Sequence, residues 1–241
     1  MTNAIILSAG QGRRLLPLTE DRPKCLLKVG EQTLLQRQVG TLLQAGIKHI
    51  GVVAGYNVGM VREHLAAAFP QQQGIIEVIF NPFYEVADNL ASCWMARAAM
   101  RDDFLLINGD TLFEKELLET VIRSASADIT LTTDHKTDYD EDDMKVELQG
   151  EQVCAVSKLL PAGQTHAESI GLLYFSANGG HLFRERLELA MQSADNLRAW
   201  FLAVIDTLAK DGHVRACPVN GRQWCEIDFP ADLQAARAMF D

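Results

Sequence analysis

Short, uninterrupted apolar runs alternate along this chain with stretches whose apolar residues recur every three or four positions. That alternation predicts βαβ units and a parallel sheet. The run Ala4-Ile5-Ile6-Leu7 reads as a central strand covered on both faces. Leu34, Leu35, Val39, Leu42 and Leu43 recur at helical spacing, and Gly46 ends that helix. The pattern then predicts a strand over 47–54, a helix over 58–69 stopped by Pro70, and a strand over 75–80 before the Asn81-Pro82 turn. A helix is expected over 89–100, with Asp88 or Asn89 as its N-cap. A strand over 104–107 runs into Asn108-Gly109-Asp110, followed by a helix over 114–124 and a strand over 128–133. The acidic stretch 134–143 reads as a solvated excursion, because strand-like runs resume at 144–148 and 153–157. A strand over 168–175, helices over 181–191 and 197–211, a strand over 214–219 and a short final helix complete the pattern. The expectation is one doubly wound α/β domain spanning 1–241, its sheet mostly parallel, with a β-rich insertion in the second half.

Bulk properties narrow the function classes. A chain of 241 residues with 48% apolar content can bury one large core. Its net charge of −10 argues against nucleic acid or an anionic membrane as partner. No apolar run approaches the roughly 20 residues that span a bilayer, and the first residues hold no basic n-region. The five cysteines include no C-x-x-C pair and read as reduced thiols, so a cytoplasmic location is expected. The six histidines show no metal-ligand spacing.

Against that acidic background one segment stands out. After the first strand, Ser8, Ala9, Gly10 and Gly12 keep side chains small where the backbone turns, and Arg13, Arg14 and Lys24 bring three cations to the same loop. Exposed backbone N–H groups beside clustered cations suit a polyphosphate. No Gly-Lys-Ser/Thr follows, so this is not a P-loop, and the dinucleotide fingerprint would need glycine where Leu15 stands.

The order Gly10-x-Gly12-x-Arg14-Leu15-x-Pro17-Leu18-Thr19-x-x-x-Pro23-Lys24 resembles the signature of the nucleotidyltransferases that make activated sugars and alcohols from a nucleoside triphosphate and a phosphate monoester. The resemblance implies a Rossmann-like sheet whose β-rich insertion serves the acceptor. Asp110 aligns with the aspartate that holds catalytic magnesium, and the carboxyl end of a strand suits a hard cation beside phosphates. An N-cap before the next helix is the alternative role for Asp110. Trp224-Cys225-Glu226-Ile227-Asp228 resembles the late Glu-Ile-Asp motif of the cytidylyltransferase branch and makes Asp228 the second ligand. Alternation puts Glu226 on the same side, and Asp228 also has an N-cap alternative. Asn89 and Ser92 match an Asn-x-x-Ser motif that contacts the nucleotide in phosphocholine cytidylyltransferases. Segments around Lys145, Lys158 and Glu168 resemble the acceptor half of phosphocholine and related amino-alcohol or phosphonate enzymes.

The chemistry this implies is transfer of CMP from CTP to a small phosphorylated or phosphonylated alcohol, with magnesium as cofactor. Ser8, Ala9, Gly10, Gly12, Arg13, Arg14, Lys24, Asn89, Ser92 and Asp110 would contact CTP, while Lys24, Arg14 and Lys158 would act on the reacting phosphates. Lys145, Lys158, Glu168, Tyr174, Trp224 and Glu226 would face the acceptor. Phosphocholine leads the acceptor candidates. An inositol phosphate, a sugar 1-phosphate, or a nucleotide-sensing module without turnover are the alternatives, and a homo-oligomer is left open.

Overall fold

The computed structural model describes residues 2–240. The first half is regular α/β: β1 (Asn3–Ser8), the small hairpin β2 (Lys28–Val29) and β3 (Gln32–Thr33), α1 (Leu34–Gln44), β4 (Ile50–Ala54), α2 (Val58–Ala68), β5 (Ile76–Phe80), α3 (Asn89–Ala96) and β6 (Phe104–Asn108). Then come β7 (Thr111–Phe113), α4 (Lys115–Ser124), β8 (Ile129–Asp134), β9 (Lys145–Gln149), β10 (Gln152–Ser157), β11 (Ala167–Phe175), α5 (Ala177–Ala190), α6 (Leu202–Lys210), β12 (Val214–Pro218), β13 (Trp224–Glu226) and α7 (Pro230–Phe240).

Nine strands form one sheet in the order β5-β4-β1-β6-β11-β8-β12-β10-β9. The strands β5, β4, β1 and β6 are parallel to one another. Beyond β6 the sheet is mixed: β11 runs antiparallel to both β6 and β8, and β12 is parallel to β8. The hairpin β9–β10 folds back so that β9 also pairs with β11 through Ala167↔Val146 and Glu168↔Lys145. The pairings of β11, β8, β12, β10 and β9 therefore close into a ring.

Strand alternation divides the core between the two faces of the sheet. Ile5, Leu7, Phe104 and Leu106 pack with α3, α5 and α6 residues such as Leu90, Phe183 and Ile205. Ala4, Ile6, Leu105 and Ile107 pack with Leu35, Val39, Val61 and Leu118 from α1, α2 and α4. Ile5 and Ile6 are wholly buried, each worth about 1.5–3 kcal/mol relative to exposure.

Several boundaries differ from the sequence expectation for local reasons. The helix expected from 89 shortens to α3 and a 3₁₀ turn, Arg97–Ala99. The one expected from 197 is a 3₁₀ turn, Ala194–Arg198, followed by α6. The helix expected from 181 begins at Ala177, capped by Ser176, whose hydroxyl accepts from the Gly179 N–H at 3.1 Å. Gly179 looks like a breaker in sequence. In the fold it permits close packing, since a Cβ there would lie 1.9 Å from the Asp128 carbonyl oxygen. The strand β7 follows Asp110 directly, and α4 takes Glu114 as its N-cap residue, so Asp110 caps no helix. Among the described residues no helix is long and apolar enough to cross a membrane.

Candidate active site

The carboxyl ends of β1 and β6 lie side by side, in register through Leu7↔Asn108, where doubly wound sheets bind ligands. The glycine-rich loop leaves β1 there. Gly12 sits in the left-handed region at φ 80°, and a Cβ on it would be 2.7 Å from the Lys24 Cβ. Only glycine meets both conditions. Thr19, fully buried, donates its hydroxyl hydrogen to the Gly12 carbonyl at 2.8 Å and ties the far arm of the loop down. Lys24 is thereby aimed inward. Its Nζ lies 2.9 Å from Asp110 Oδ2 and 2.7 Å from Asp228 Oδ1, with 13% of the side chain exposed. Burial alone would lower the Lys24 pKa, but the two carboxylates outweigh it and hold the ammonium charged.

Asp228 reaches this point because β13 pairs antiparallel with β7, setting Glu226 opposite Thr111. The Ile227 N–H then donates to the Asp110 carbonyl at 3.1 Å. Asp110, Glu226 and Asp228 each offer an oxygen within 4.8 Å of the others. Glu226 is pushed up to about 8, first by its enclosure in the cleft and then by Asp110 and Asp228. Asp110 Oδ1 is buried with no hydrogen-bond partner. A carboxylate cluster with an orphaned oxygen fits a hard divalent cation.

Two adjoining pockets meet at these residues. One is lined by Ser8, Gly10, Gly12, Arg13, Arg14 and Lys24. The other, about 510 Å³, opens towards Glu168, Trp200, Trp224 and Phe229. Arg14, Asp110 and Asp228 line both. Arg14 Nη2 is 2.8 Å from Asp228 Oδ2, Nη1 is 3.2 Å from Asp142 Oδ2, and the guanidinium lies 5.2 Å from the Phe229 ring centroid. Lys158 Nζ is 3.2 Å from Asp142 Oδ1 and 4.3 Å from the Trp200 centroid. Trp224 lines the cleft, and its indole N–H donates to Asp134 Oδ2 at 2.6 Å.

The segment after β8 is largely exposed, as expected of a solvated excursion, and it also borders the cleft. Lys136 is 2.8 Å from both Asp143 Oδ1 and Glu168 Oε2, and Asp142 joins Arg14 to Lys158. Lys136 reaches Glu168 on β11 and Asp142 reaches Arg14 in the first loop, contacts that composition does not reveal. Glu168 is 4% exposed, and its Oε1 is unpartnered. Burial, reinforced by the charge of Asp143, pushes its carboxyl up to about 7 despite Lys136.

Four expected contacts are not in the cleft. Tyr174 is 8% exposed in the core, paired with Leu105 near the opposite end of the sheet. Ser92 is buried on α3, its hydroxyl accepting from Asn81 Nδ2 at 3.0 Å. Lys145 is buried, and its ammonium donates to the backbone carbonyls of Asp140 and Lys158, which holds the segment at the cleft. Ala9 is buried, and its carbonyl accepts from the Tyr56 N–H at 3.0 Å. Asn89 does line the cleft, while its Oδ1 accepts from the Phe201 N–H at 2.9 Å. Sequence reasoning missed Lys136, Asp142 and Trp200, and held Asp143 only as part of the acceptor-like segment around Lys145. The signal available for the first two was their place just after β8, a strand whose carboxyl end faces the site.

Such a fold, with cations and an acidic cluster at adjacent strand ends, defines a class of enzymes that handle polyanions. The chain belongs to the nucleotidyl transferase family, whose profile matches residues 3–144, and it is a nucleotidyltransferase. It is 25% identical to CTP:phosphoglutamine cytidylyltransferase of Campylobacter jejuni, over 96% of this chain and 98% of that one. It is 26% identical to CMP-5'-(3-aminopropyl)phosphonate synthase of Streptomyces rubellomurinus, over 98% of this chain but 38% of that protein's length. The structure of CTP:phosphocholine cytidylyltransferase from Streptococcus pneumoniae superposes with a TM-score of 0.80 at 20% identity, covering 100% and 99% of the two chains. That last likeness speaks to the shared α/β fold. Enzymes of this family are typically metal-dependent, and this chain carries the acidic cluster Asp110, Glu226 and Asp228.

Proposed function

We propose that the protein transfers CMP from CTP to a phosphate or phosphonate monoester whose alcohol or alkyl group carries a cationic nitrogen, phosphocholine being the leading candidate. The observation that carries the reading is Lys24, held between Asp110 and Asp228 where the two pockets meet. One pocket then takes the triphosphate and the other the acceptor.

In the reaction an acceptor oxygen attacks the α-phosphorus, a new P–O bond forms, and the bond to the β-phosphate oxygen breaks. Pyrophosphate leaves with that electron pair. The attacking oxygen is already ionised near neutral pH, so no general base is needed. Two anions must meet, and catalysis rests on positioning and neutralisation. Arg14 and Lys24 hold the triphosphate and stabilise the departing pyrophosphate. Lys158, at the acceptor end, steers the incoming phosphate. Asp110 and Asp228, with Glu226 beside them, would hold magnesium, which when bound neutralises the phosphates gathered there. On the acceptor side Glu168, Trp200, Trp224 and Phe229 offer carboxylate and aromatic surface to an ammonium group. The aminopropyl and choline groups in two relatives' names agree with that chemistry.

The test is a matrix of nucleoside triphosphates against phosphorylated alcohols, read by pyrophosphate release. CTP with an ammonium-bearing monoester should turn over fastest. Equal rates with UTP or GTP across all acceptors would remove the CTP assignment. Faster turnover of inositol phosphate or a sugar 1-phosphate would remove the ammonium assignment and leave nucleotidyl transfer standing.

A further inference from the structure

A glutamine interrupts the apolar face of α1. Gln38 is 1% exposed on the helix face that also buries Leu34, Leu35, Val39 and Leu42. Its Nε2 donates to the Asn108 carbonyl and to the Thr111 carbonyl, both at 2.8 Å. Those carbonyls bracket Gly109-Asp110, so one side-chain amide spans the link that carries Asp110 and uses both of its hydrogens to do so. The opposite amide orientation would set Oε1 against two carbonyl oxygens, so the donor assignment is fixed. The cost is visible, because Oε1 is buried with no partner. An apolar side chain of similar size would remove that orphaned Oε1 but would take this donor away from the Asn108 and Thr111 carbonyls.

Three other bonds hold this link. The Gly109 N–H donates to the Leu7 carbonyl at 2.9 Å, the Thr111 hydroxyl to the Ile170 carbonyl at 3.0 Å, and the Ile227 N–H to the Asp110 carbonyl at 3.1 Å. Those come from the sheet and from the segment after β13. Gln38 alone of these groups reaches across from the helix layer, and it fixes the peptides that follow Asn108 and Thr111, one at each end of the link. We infer that Gln38 is a positioning residue for Asp110, setting the carboxylate whose Oδ1 stands unpartnered at the acidic cluster.

This inference rests on the reading of Asp110 as a metal ligand, so the experiment separates the two. Mn²⁺ binding to the full chain, followed by electron paramagnetic resonance without substrates, is compared for wild type, Gln38→Met, Gln38→Leu and Asp110→Asn. Groups that orient a ligand from behind typically contribute 10–100-fold in metal affinity. Gln38→Met should weaken Mn²⁺ binding by about tenfold and lower kcat while leaving the KM for CTP nearly unchanged. Gln38→Leu serves the same comparison should the Met variant fold poorly, and circular dichroism melts verify that either is native. Wild-type Mn²⁺ affinity in a folded Gln38 variant, with affinity lost in Asp110→Asn, overturns the role of Gln38 alone. Wild-type affinity in Asp110→Asn overturns the metal reading, and the inference falls with it.

Discussion

The two halves of the cleft are built differently. On the loop side the site is made from backbone and small residues wedged between parallel strands. Lys24 is held by Gly12 behind it and by two carboxylates in front. On the other side the walls are charged side chains brought from several distant segments, already paired with one another: Arg14 and Lys158 on Asp142, Lys136 on Asp143 and Glu168. A surface defined by backbone accepts one kind of ligand. A surface of paired charges can exchange an internal partner for a ligand of the same sign. Changes on the loop side should therefore damage transfer to every acceptor, whereas changes on the other side should alter which acceptor is favoured.

The largest effects belong to the junction. Asp110→Asn should reduce pyrophosphate release at saturating magnesium by on the order of a hundredfold or more for all acceptors, since a charged clamp on the transferring phosphoryl group is lost. Its melting temperature should stay near wild type, because the group lies at a strand end. Undiminished turnover would dissolve the distinction between the two halves at its root. Lys24→Ala should lower kcat by about tenfold to a hundredfold with a smaller change in the KM for CTP, because charge on the leaving pyrophosphate grows in the transition state. It also leaves Asp110 and Asp228 facing each other with only Arg14, on Asp228, as counter-charge. The variant should melt lower than wild type in chelator and recover when magnesium is added. A change confined to the KM for CTP would reduce Lys24 to a ground-state phosphate contact.

How much of this was legible in the sequence divides along the same line. The loop and β1 are local: apolar Ile5 and Ile6, then Gly10, Gly12 and Lys24, lie within a single run, and spacing alone brings them to one strand end. The arrangement beyond β6 depends on β9 pairing with both β10 and β11, which no local pattern encodes. Alternation assigns a residue to a face of a strand, not to an end. Tyr174 was expected near Glu168, yet it lies six positions further along β11, roughly 20 Å of extended chain. The segment after β8 is solvated as expected, but its place at the cleft was hidden for another reason. Arg14 meets Asp142 across 128 positions of sequence, so the carboxylates looked free to face solvent.

Glu168 gives a sharper way to test the acceptor side. Its carboxyl is raised from an ordinary 4.5 to about 7, so between those values the folded protein holds a proton that the unfolded chain has released. The stabilisation from this group is fully present below 4.5 and is lost as pH rises through 7. Binding of an ammonium group needs the carboxylate, so the KM for a cationic acceptor should fall as pH rises across 7. Glu168→Gln should flatten that dependence and raise this KM by about tenfold, the scale of a charge-assisted contact. It should also remove this group's share of the fall in melting temperature over the same window. A sugar 1-phosphate, where it reacts, should be indifferent to the change. Identical pH profiles for the two proteins would take Glu168 out of acceptor recognition.

The smallest effect distinguishes an exchangeable pair from a fixed one. Asp142 has 61% of its side chain exposed and touches Arg14 and Lys158 at 3.2 Å each. Its carboxylate sits between two cations assigned to substrate phosphates, as a substrate anion would. A phosphate arriving there must displace it. Exposed ion pairs contribute about 0–1 kcal/mol, so Asp142→Asn should lower the KM for the acceptor by no more than about fivefold and leave kcat alone. Added salt screens the pair, and wild type and variant should converge as ionic strength rises. Steady-state kinetics at low and high salt would read both effects. If the substitution instead raises the KM, and does so only for ammonium-bearing acceptors, Asp142 contacts the acceptor itself. The segment after β8 would then be part of the recognition surface rather than a placeholder on it.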